Sequence, residues 1–302
     1  MESHPGIPSA REVVHIPGLS VVIPVRNGAR TLAEQLEALA AATRPSGEFE
    51  VLVADNGSTD ETVEVAAGFA DQLPLRVVDA SARAGSNYAR NRGIEESNYD
   101  CLLLCDSDDR VDGGWLVAMA AAFDQGEELI AGPIDYLLLN PTPLRDWRGS
   151  DRAFTEVVMG FLPTGHGANL GFTRALYDRL GGFDDEFEFG GPDVEFCWRA
   201  QLSGATLHPV PEGIVHYRIR PSLPALFRQS LAYGAAEAHL YRKFAAQGMP
   251  RRPFTAPLRE LWWLASRLPF AKPLGRRGAW LRRLGQQLGR FRGAYRYRVW
   301  WW

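Results

Sequence analysis

Residues 99–112 read YDCLLLCDSDDRVD: a short apolar run, Cys101 to Cys105, breaks into carboxylates at Asp106, Asp108, Asp109 and Asp112. An apolar run this short suits a strand buried on both faces of a parallel sheet. The acids then emerge at its carboxyl end, where open α/β sheets bind ligands. In an extended chain alternate side chains share a face, so Asp106 and Asp108 are expected to point one way and Ser107 the other. Two hard oxygen donors on one side of a strand end suit a divalent cation held together with the phosphates of a substrate. Taken alone, the same Asp-x-Asp reads more readily as a solvated acidic turn; the rest of the chain reverses that.

Working outward, Ser20–Val25 (SVVIPV) and Glu50–Ala54 (EVLVA) are further β-branched runs, and Leu75–Val78 is another. Helical stretches are expected after each: about Ala29 to Ala42, after Ser58 or Thr59 acting as a cap with Asp60 and Glu61 in the first turn, and from Ser86. Strand and helix alternating at this spacing predict a doubly wound, mostly parallel sheet. Pro24, Asp55 and Asp106/Asp108 then fall at the ends of successive strands and line one crevice. Asp55 there suits a ribose or base N–H, although Asp-Asn-Gly is also an ordinary turn. No Gly-x-Gly-x-x-Gly follows the first strand and no Walker loop occurs, which argues against nicotinamide cofactors and P-loop ATPases.

The ordered stretches SVVIPVRN, VLVADNGSTDET, AGSNYARNRGI and LLLCDSDD, followed by NLGFTRALYDRLGGFDDEFEFGGPDVEFCWRAQLSG, resemble the successive motifs of family-2 glycosyltransferases over roughly residues 18–220. The resemblance implies the GT-A fold: a Rossmann-like, mostly parallel central sheet flanked by helices, carrying here a helical, basic C-terminal extension. It implies inverting transfer of a sugar from a nucleotide-diphosphate donor to a hydroxyl, assisted by Mg2+ or Mn2+. Pro24, Val25, Arg26, Asn27, Asp55, Arg83, Arg90, Asp106 and Ser107 match nucleotide-sugar positions, and guanidinium forks suit phosphates. Asp108 matches the main metal ligand, and His216, in GIVHYR, a position that supplies a further metal contact in many relatives.

An inverting transfer needs one carboxylate to deprotonate the acceptor hydroxyl. By the resemblance that base is Asp193. Pro192 stands where the family usually has Glu; proline suits the first turn of a helix, but a second carboxylate is lost. His166, in the Gly-rich loop FLPTGHGAN, and Glu195 are the acceptor-side candidates, weaker than Asp193. Trp198 reads as core packing and Arg92 as an exposed helix face.

The net charge of −3 over 302 residues hides an asymmetry. From Arg251 to Trp302 there are 13 Lys and Arg against one acid, Glu260, a balance of +12, which leaves −15 on the remainder. The chain divides into a polar leader (residues 1–17), a catalytic domain (18–221) and a C-terminal helical region (222–302). The last begins with a long helix from Ser222 to Gln247 and turns basic and Trp-rich from about residue 251. A basic amphipathic segment with tryptophans suits an anionic membrane surface, the reading preferred here over a helix packed on the catalytic domain or on a second subunit. Nucleic acid is not expected, since no nucleic-acid-binding fold accompanies the charge. No apolar stretch reaches the roughly 18 residues of a transmembrane helix. With three cysteines, two of them in the core strand, reduced thiols are expected in a cytoplasmic protein, peripheral on the membrane's cytoplasmic face. The acceptor expected is a saccharide or lipid-linked saccharide of cell-envelope or polysaccharide biosynthesis. The alternative is a non-catalytic sugar-nucleotide-binding or scaffold subunit.

Overall fold

Apolar β-branched runs punctuated by Gly, Asn and Asp build the first half of the chain. In the computed structural model these are β1 (Gly18–Val25), α1 (Ala29–Ala41), β2 (Glu48–Asp55), α2 (Thr62–Ala67), β3 (Leu75–Asp79), α3 (Ser86–Glu95) and β4 (Cys101–Leu104). There follow β5 (Arg110–Val111), α4 (Trp115–Asp124), β6 (Leu129–Ala131), β7 (Ile134–Asp135), α5 (Thr142–Arg145), β8 (Arg152–Ala153), β9 (Glu156–Val158) and β10 (Leu162–Thr164). Next come β11 (Leu170–Thr173), α6 (Arg174–Leu180), α7 (Pro192–Leu202), β12 (Leu207–Pro209) and β13 (Val215–His216). The C-terminal helices are α8 (Leu223–Phe244), α9 (Thr255–Ser266) and α10 (Leu274–Tyr297). The structure describes residues 18–147, 151–187, 190–267 and 274–301; the leader expected at 1–17 lies outside the described residues.

The central sheet runs β12-β6-β11-β4-β1-β2-β3, parallel except for β11, which is antiparallel to both its neighbours. It is the mixed, mostly parallel α/β architecture expected, with helices on both faces. Val21, Ile23, Val51, Val53 and Leu103 pack towards α1 and α4, where Leu32, Leu36, Trp115 and Met119 are buried. Their alternates Val22, Leu52, Leu102 and Leu104 pack towards α3, α6 and α7 with Ile94, Leu176 and Phe196. Both faces being covered explains the nearly continuous apolar runs of these strands, and the two buried polar exceptions, Ser20 and Glu50, are hydrogen-bonded to each other at 2.7 Å. The strand order reverses beside β1, with β2 on one side and β4 on the other, and a crevice opens at such a switch point. Register places Val25, Asp55 and Asp79 abreast at its rim. A second sheet, β5-β13-β7-β8, lies beyond the end of β4.

Cys101, Cys105 and Cys197 are free and buried, and burial pushes the Cys101 and Cys197 thiols up to about 12. Trp198 is fully buried against Phe161 and Phe244, and Arg92 pairs with Glu95 and Glu96 on the helix surface.

The C-terminal region is docked, not free. Ser222 caps α8, accepting from the Ala225 N–H. Helix α10 lies along α8 through glycines: a Cβ on Gly289 would stand 2.1 Å from the Leu231 carbonyl oxygen, and one on Gly293 2.6 Å from that of Ala235. Arg290 makes two bonds to Glu237, at 2.7 and 2.8 Å, and Trp301 stacks on Tyr241. Part of the tail's basic and aromatic character is therefore spent inside the molecule, while Arg276, Arg277, Arg292, Arg296, Tyr295 and Trp300 stay exposed. Gly289→Leu is expected to drive the two helices apart and cost about 1–3 kcal/mol, the usual range for overpacking. At about 2–4 °C per kcal/mol for a chain of this order of size, thermal melting reads this directly. Leu288→Ala, on the exposed side, is the control and stays within about 0.5 kcal/mol of the parent.

Candidate functional site

The loops after β1 and β2 are laced together. Asn27, at φ 53°, donates its N–H to Ser58 Oγ and accepts from the Thr59 N–H, each at 2.8 Å. Ser58 and Thr59 therefore do not cap α2, as the local pattern suggested: the residue before that helix is Glu61, without a side-chain cap. A long-range partner competes successfully for short polar side chains. Asp55 receives the Ser58 N–H on both carboxylate oxygens at 3.2 Å, the turn geometry its sequence allows. Asn56 is buried and binds the Ala80 and Arg83 carbonyls and the Gly85 N–H, fixing the segment from β3 to α3. Pro24 and Val25 end β1 at the rim, with Arg26 exposed beside them. Arg83 reaches across the rim to Asp185 at 2.6 Å.

Beyond β4 the chain turns at once, so strand alternation does not govern the acids. Asp106, Asp108 and Asp109 each bring one oxygen to within 4.8 Å of the others. Asp109, which alternation sends to the opposite side from Asp106 and Asp108, joins them because the backbone bends at Ser107–Asp108. Gln35, buried on α1, holds this bend: its Nε2 donates to the Asp106 carbonyl and its Oε1 accepts from the Val111 N–H. Ser107 Oγ lies by the close approach of Gly28.

Three arginines answer the three carboxylates. Arg90, buried on α3, donates to Asp106 at 3.2 Å and lies over the Phe183 ring. Arg218 gives its N–H to Asp109 Oδ1 at 2.8 Å and its side chain to the Asp108 carbonyl and Glu34. Arg220 pairs with Asp108 Oδ2 at 2.7 Å. Asp109 is fully buried and its Oδ2 has no hydrogen-bond partner among the described residues. Burial, then Asp106 and Asp108, hold its carboxyl well above the ordinary range. Burial also raises Asp108, Arg220 offsetting this in part.

Helix α7 presents Asp193 in its first turn, after Pro192 at the first helical position. One carboxylate oxygen accepts the Gly167 N–H at 3.0 Å, the other the Val194 N–H at 3.0 Å, so its orientation is set by backbone. A Cβ on Gly167 would sit 3.2 Å from Arg90 Nη2 and 3.4 Å from the Asp193 Cβ, which makes glycine the residue that lets the two approach. The structure thus brings Asp106, Arg90, Gly167 and Asp193 into one line across the crevice. His166 precedes Gly167, half-buried in the same loop.

Two acceptor- and metal-side expectations meet different surroundings. Glu195 is corrected: it is fully buried and paired with Arg199 at 2.8 Å and Lys243 at 2.6 Å, so it braces α7 against α8 and faces no acceptor. His216 does not join the three aspartates; its ring lies between Asp135 (Nδ1, 3.2 Å) and Asp112 (Nε2, 3.6 Å). Register explains this, since His216 is paired directly with Asp135 across β13 and β7. Burial alone would raise Asp135, but the His216 hydrogen bond and the Leu137 and Leu138 N–H groups hold it below the usual carboxylate range.

Comparison with known proteins decides the family. The model of the family described as glycosyl transferase family 2 matches residues 20–181, more than half of the chain. The chain belongs to glycosyl transferase family 2. A second model, glycosyl transferase family group 2, matches residues 101–284 and so extends into α10. This family-2 glycosyltransferase is 30% identical over 280 residues to Glycosyltransferase AglE of Haloferax volcanii, covering 90% of the chain and 87% of that protein. Among solved structures, it resembles the mannosyltransferase PcManGT from Pyrobaculum calidifontis in complex with GDP-Man and Mn2+, at TM-score 0.60 and 18% identity over 94% of this chain and 90% of that one. It also resembles S. aureus TarS 1–349 in complex with UDP, at TM-score 0.56 and 18% identity over 92% and 91% of the two chains. At that identity the likeness establishes the GT-A fold, which is the fold found here.

The sequence reading of this glycosyltransferase missed Gln35, Arg218 and Arg220 and gave Asp109 no role. The arginines carried a signal: His216, Arg218 and Arg220 recur at period two in an extended stretch, placing cationic groups on one side of it. Gln35 carried none. It is one polar residue in an amphipathic helix, and only the tertiary fold points it at the acidic loop.

Proposed function

We propose that this family-2 glycosyltransferase transfers a sugar from a nucleoside-diphosphate donor to an acceptor hydroxyl by single displacement with inversion, using Mg2+ or Mn2+. The observation that carries this is the line of groups across the crevice: a carboxylate cluster at one end, Arg90 between, and Asp193 with its carboxylate oriented by Gly167 at the other. The family implies a divalent cation, and the residues fit one. Three carboxylate oxygens converge, and the buried, unpartnered Asp109 Oδ2 is an atom whose desolvation a hard cation offsets.

Asp106, Asp108 and Asp109 would hold the ion, which when bound neutralises the departing diphosphate. Pro24, Val25, Arg26, Asn27 and Asp55 border the nucleotide, and Asp55 meets its hydrogen-bonding edge. Arg83 and Arg90 offer guanidinium donors to phosphate oxygens, with Ser107 beside them. Asp193 takes the acceptor's hydroxyl proton on its carboxylate as the oxygen attacks, and the Gly167 N–H keeps that carboxylate aimed. His166 lies on the acceptor side of the same loop. The names of the relatives' ligands, UDP and GDP-Man, support testing UDP, GDP and TDP by calorimetric titration with and without Mn2+. Binding of one nucleotide that strengthens with Mn2+ is the expected result. No binding of any of them in Mn2+ sinks the reading.

The acceptor we infer is a saccharide or lipid-linked saccharide of cell-envelope or polysaccharide synthesis, met at the cytoplasmic membrane surface. A relative named for a polymer acceptor, poly(ribitol-phosphate) beta-N-acetylglucosaminyltransferase TarS of Staphylococcus aureus, supports this class; it is 32% identical over 107 residues, 35% of this chain and 19% of TarS. No described helix is long and apolar enough to cross a membrane. Helix α10 also keeps Arg276, Arg277, Phe291, Arg292 and Tyr295 exposed; the membrane-facing feature we select is α9. Phe254 just before it and Leu258, Leu261 and Trp262 on one side of it are exposed, Phe254 at 81% and Trp262 at 70%, with Arg251, Arg259 and Arg267 exposed nearby. Apolar side chains ringed by arginine suit an anionic bilayer surface. Vesicles containing phosphatidylglycerol are expected to sediment the protein and pure phosphatidylcholine vesicles to leave it in solution. Leu258→Glu/Trp262→Glu is expected to weaken that binding by at least about tenfold. Equal sedimentation of parent and variant excludes α9 as the contact.

A further inference from the structure

Arg220 is the cation on the open side of the carboxylate cluster. Arg90 is buried and Arg218 is held through its own backbone N–H, but the Arg220 side chain is half exposed and reaches the cluster by one contact, 2.7 Å to Asp108 Oδ2. That oxygen belongs to the residue matched to the metal. A guanidinium and a dication on one carboxylate compete for its charge and repel each other, so each weakens the other's hold on Asp108. Leaving Asp108 bare is also costly, since it is largely buried beside Asp106 and Asp109. Arg220 therefore stabilises the cluster by lying against the Asp108 carboxylate.

We propose that Arg220 is a placeholder cation: it neutralises Asp108 while the metal is absent, yields that carboxylate to the incoming ion, and passes to the diphosphate oxygens that arrive with it. This rests on the donor-site reading above. Its consequence is energetic coupling. Without nucleotide the ion competes with Arg220 for Asp108, so metal binds weakly. With nucleotide the displaced guanidinium finds a new anion, so the two ligands bind cooperatively, each raising the other's affinity by the same factor. The arrangement keeps the site from loading metal without donor.

The test is calorimetric titration of the intact chain with MnCl2, alone and in the presence of UDP or GDP, on the wild type, Arg220→Gln and Arg220→Lys. In the wild type, nucleotide is expected to strengthen Mn2+ binding by about 5–150-fold, the usual span of such couplings. Arg220→Gln is expected to bind Mn2+ alone at least about fivefold more tightly than wild type, and to bind nucleotide in saturating Mn2+ about tenfold more weakly. Arg220→Lys keeps the charge and is expected to return both values most of the way to wild type. Opposite signs for metal and nucleotide are the signature; a variant merely misfolded loses both, and thermal melting of the three proteins identifies that case independently. Wild-type Mn2+ binding that Arg220→Gln leaves unchanged or weakens overturns the placeholder role alone. No Mn2+ or nucleotide binding by any of the three proteins overturns the donor-site reading together with it.

Discussion

Asp193→Asn is expected to lower turnover by about 10²–10⁴-fold, the span a positioned general base contributes. It is expected to leave nucleotide affinity in Mn2+ within about twofold of wild type, since Asp193 stands across Arg90 from the aspartate cluster and accepts only the Gly167 and Val194 N–H groups. Asparagine keeps the size and one of the two acceptor oxygens but turns the other into a donor facing a backbone N–H, so unchanged nucleotide affinity and thermal melting are what separate loss of the proton acceptor from that local cost. The measurement is release of free nucleotide diphosphate with acceptor present, beside calorimetry of the donor nucleotide. Turnover within threefold of wild type would remove Asp193 from the mechanism. Glu195 supplies the contrast from two residues along the same helix. It is buried between Arg199 and Lys243, and neutralising it loosens the contact between α7 and α8 rather than the chemistry.

Asp108→Ala is expected to reduce nucleotide affinity in Mn2+ by at least about 100-fold, because losing even a residue that supports a metal ligand typically costs 10–100-fold. In EDTA the same variant is expected to bind nucleotide no more weakly than wild type does, since the change frees Arg220 from its carboxylate partner. The difference between the two conditions separates loss of the ion from loss of the fold. Calorimetry with matched Mn2+ and EDTA buffers reads both. A variant that retains Mn2+-dependent binding would move the ion's principal ligand to Asp106 or Asp109, which share the cluster.

Much of this site is legible because apolar runs and their polar ends are local features. SVVIPV, EVLVA and CLLLC announce buried strands, and an acid at the end of such a strand sits at the rim of a parallel sheet whatever the distant chain does. Asp55 ends β2 and Asp106 follows β4 as that pattern implies, and Asp193, singled out by the resemblance, lies in the first turn of α7. Alternation failed at Asp109 because the strand stops at Leu104 and the chain turns, and alternation holds only where the backbone stays extended. Local capping rules failed at Ser58 and Thr59 because Asn27, about thirty residues away, takes their hydrogen bonds. Charge and aromatic content marked the tail correctly as unusual but did not say which face was spoken for. Gly289 and Gly293 lie against backbone carbonyls of α8, which takes up one face of α10, while α9 keeps an apolar, arginine-flanked surface exposed.

By itself the sequence determined the family, the layered α/β architecture, the strand ends that form the crevice and the residue types available there, because each depends on hydrophobic periodicity and on ordered local motifs. Only the tertiary structure decided which of those residues meet. It set Arg90 and Gly167 between the aspartates and Asp193, gave His216 to Asp135, buried Glu195 and placed Arg220 on Asp108. The physical reason is that partners in this site come from segments up to 184 residues apart, and their pairing follows from sheet order, register and burial, none of which is encoded within reach of any one motif.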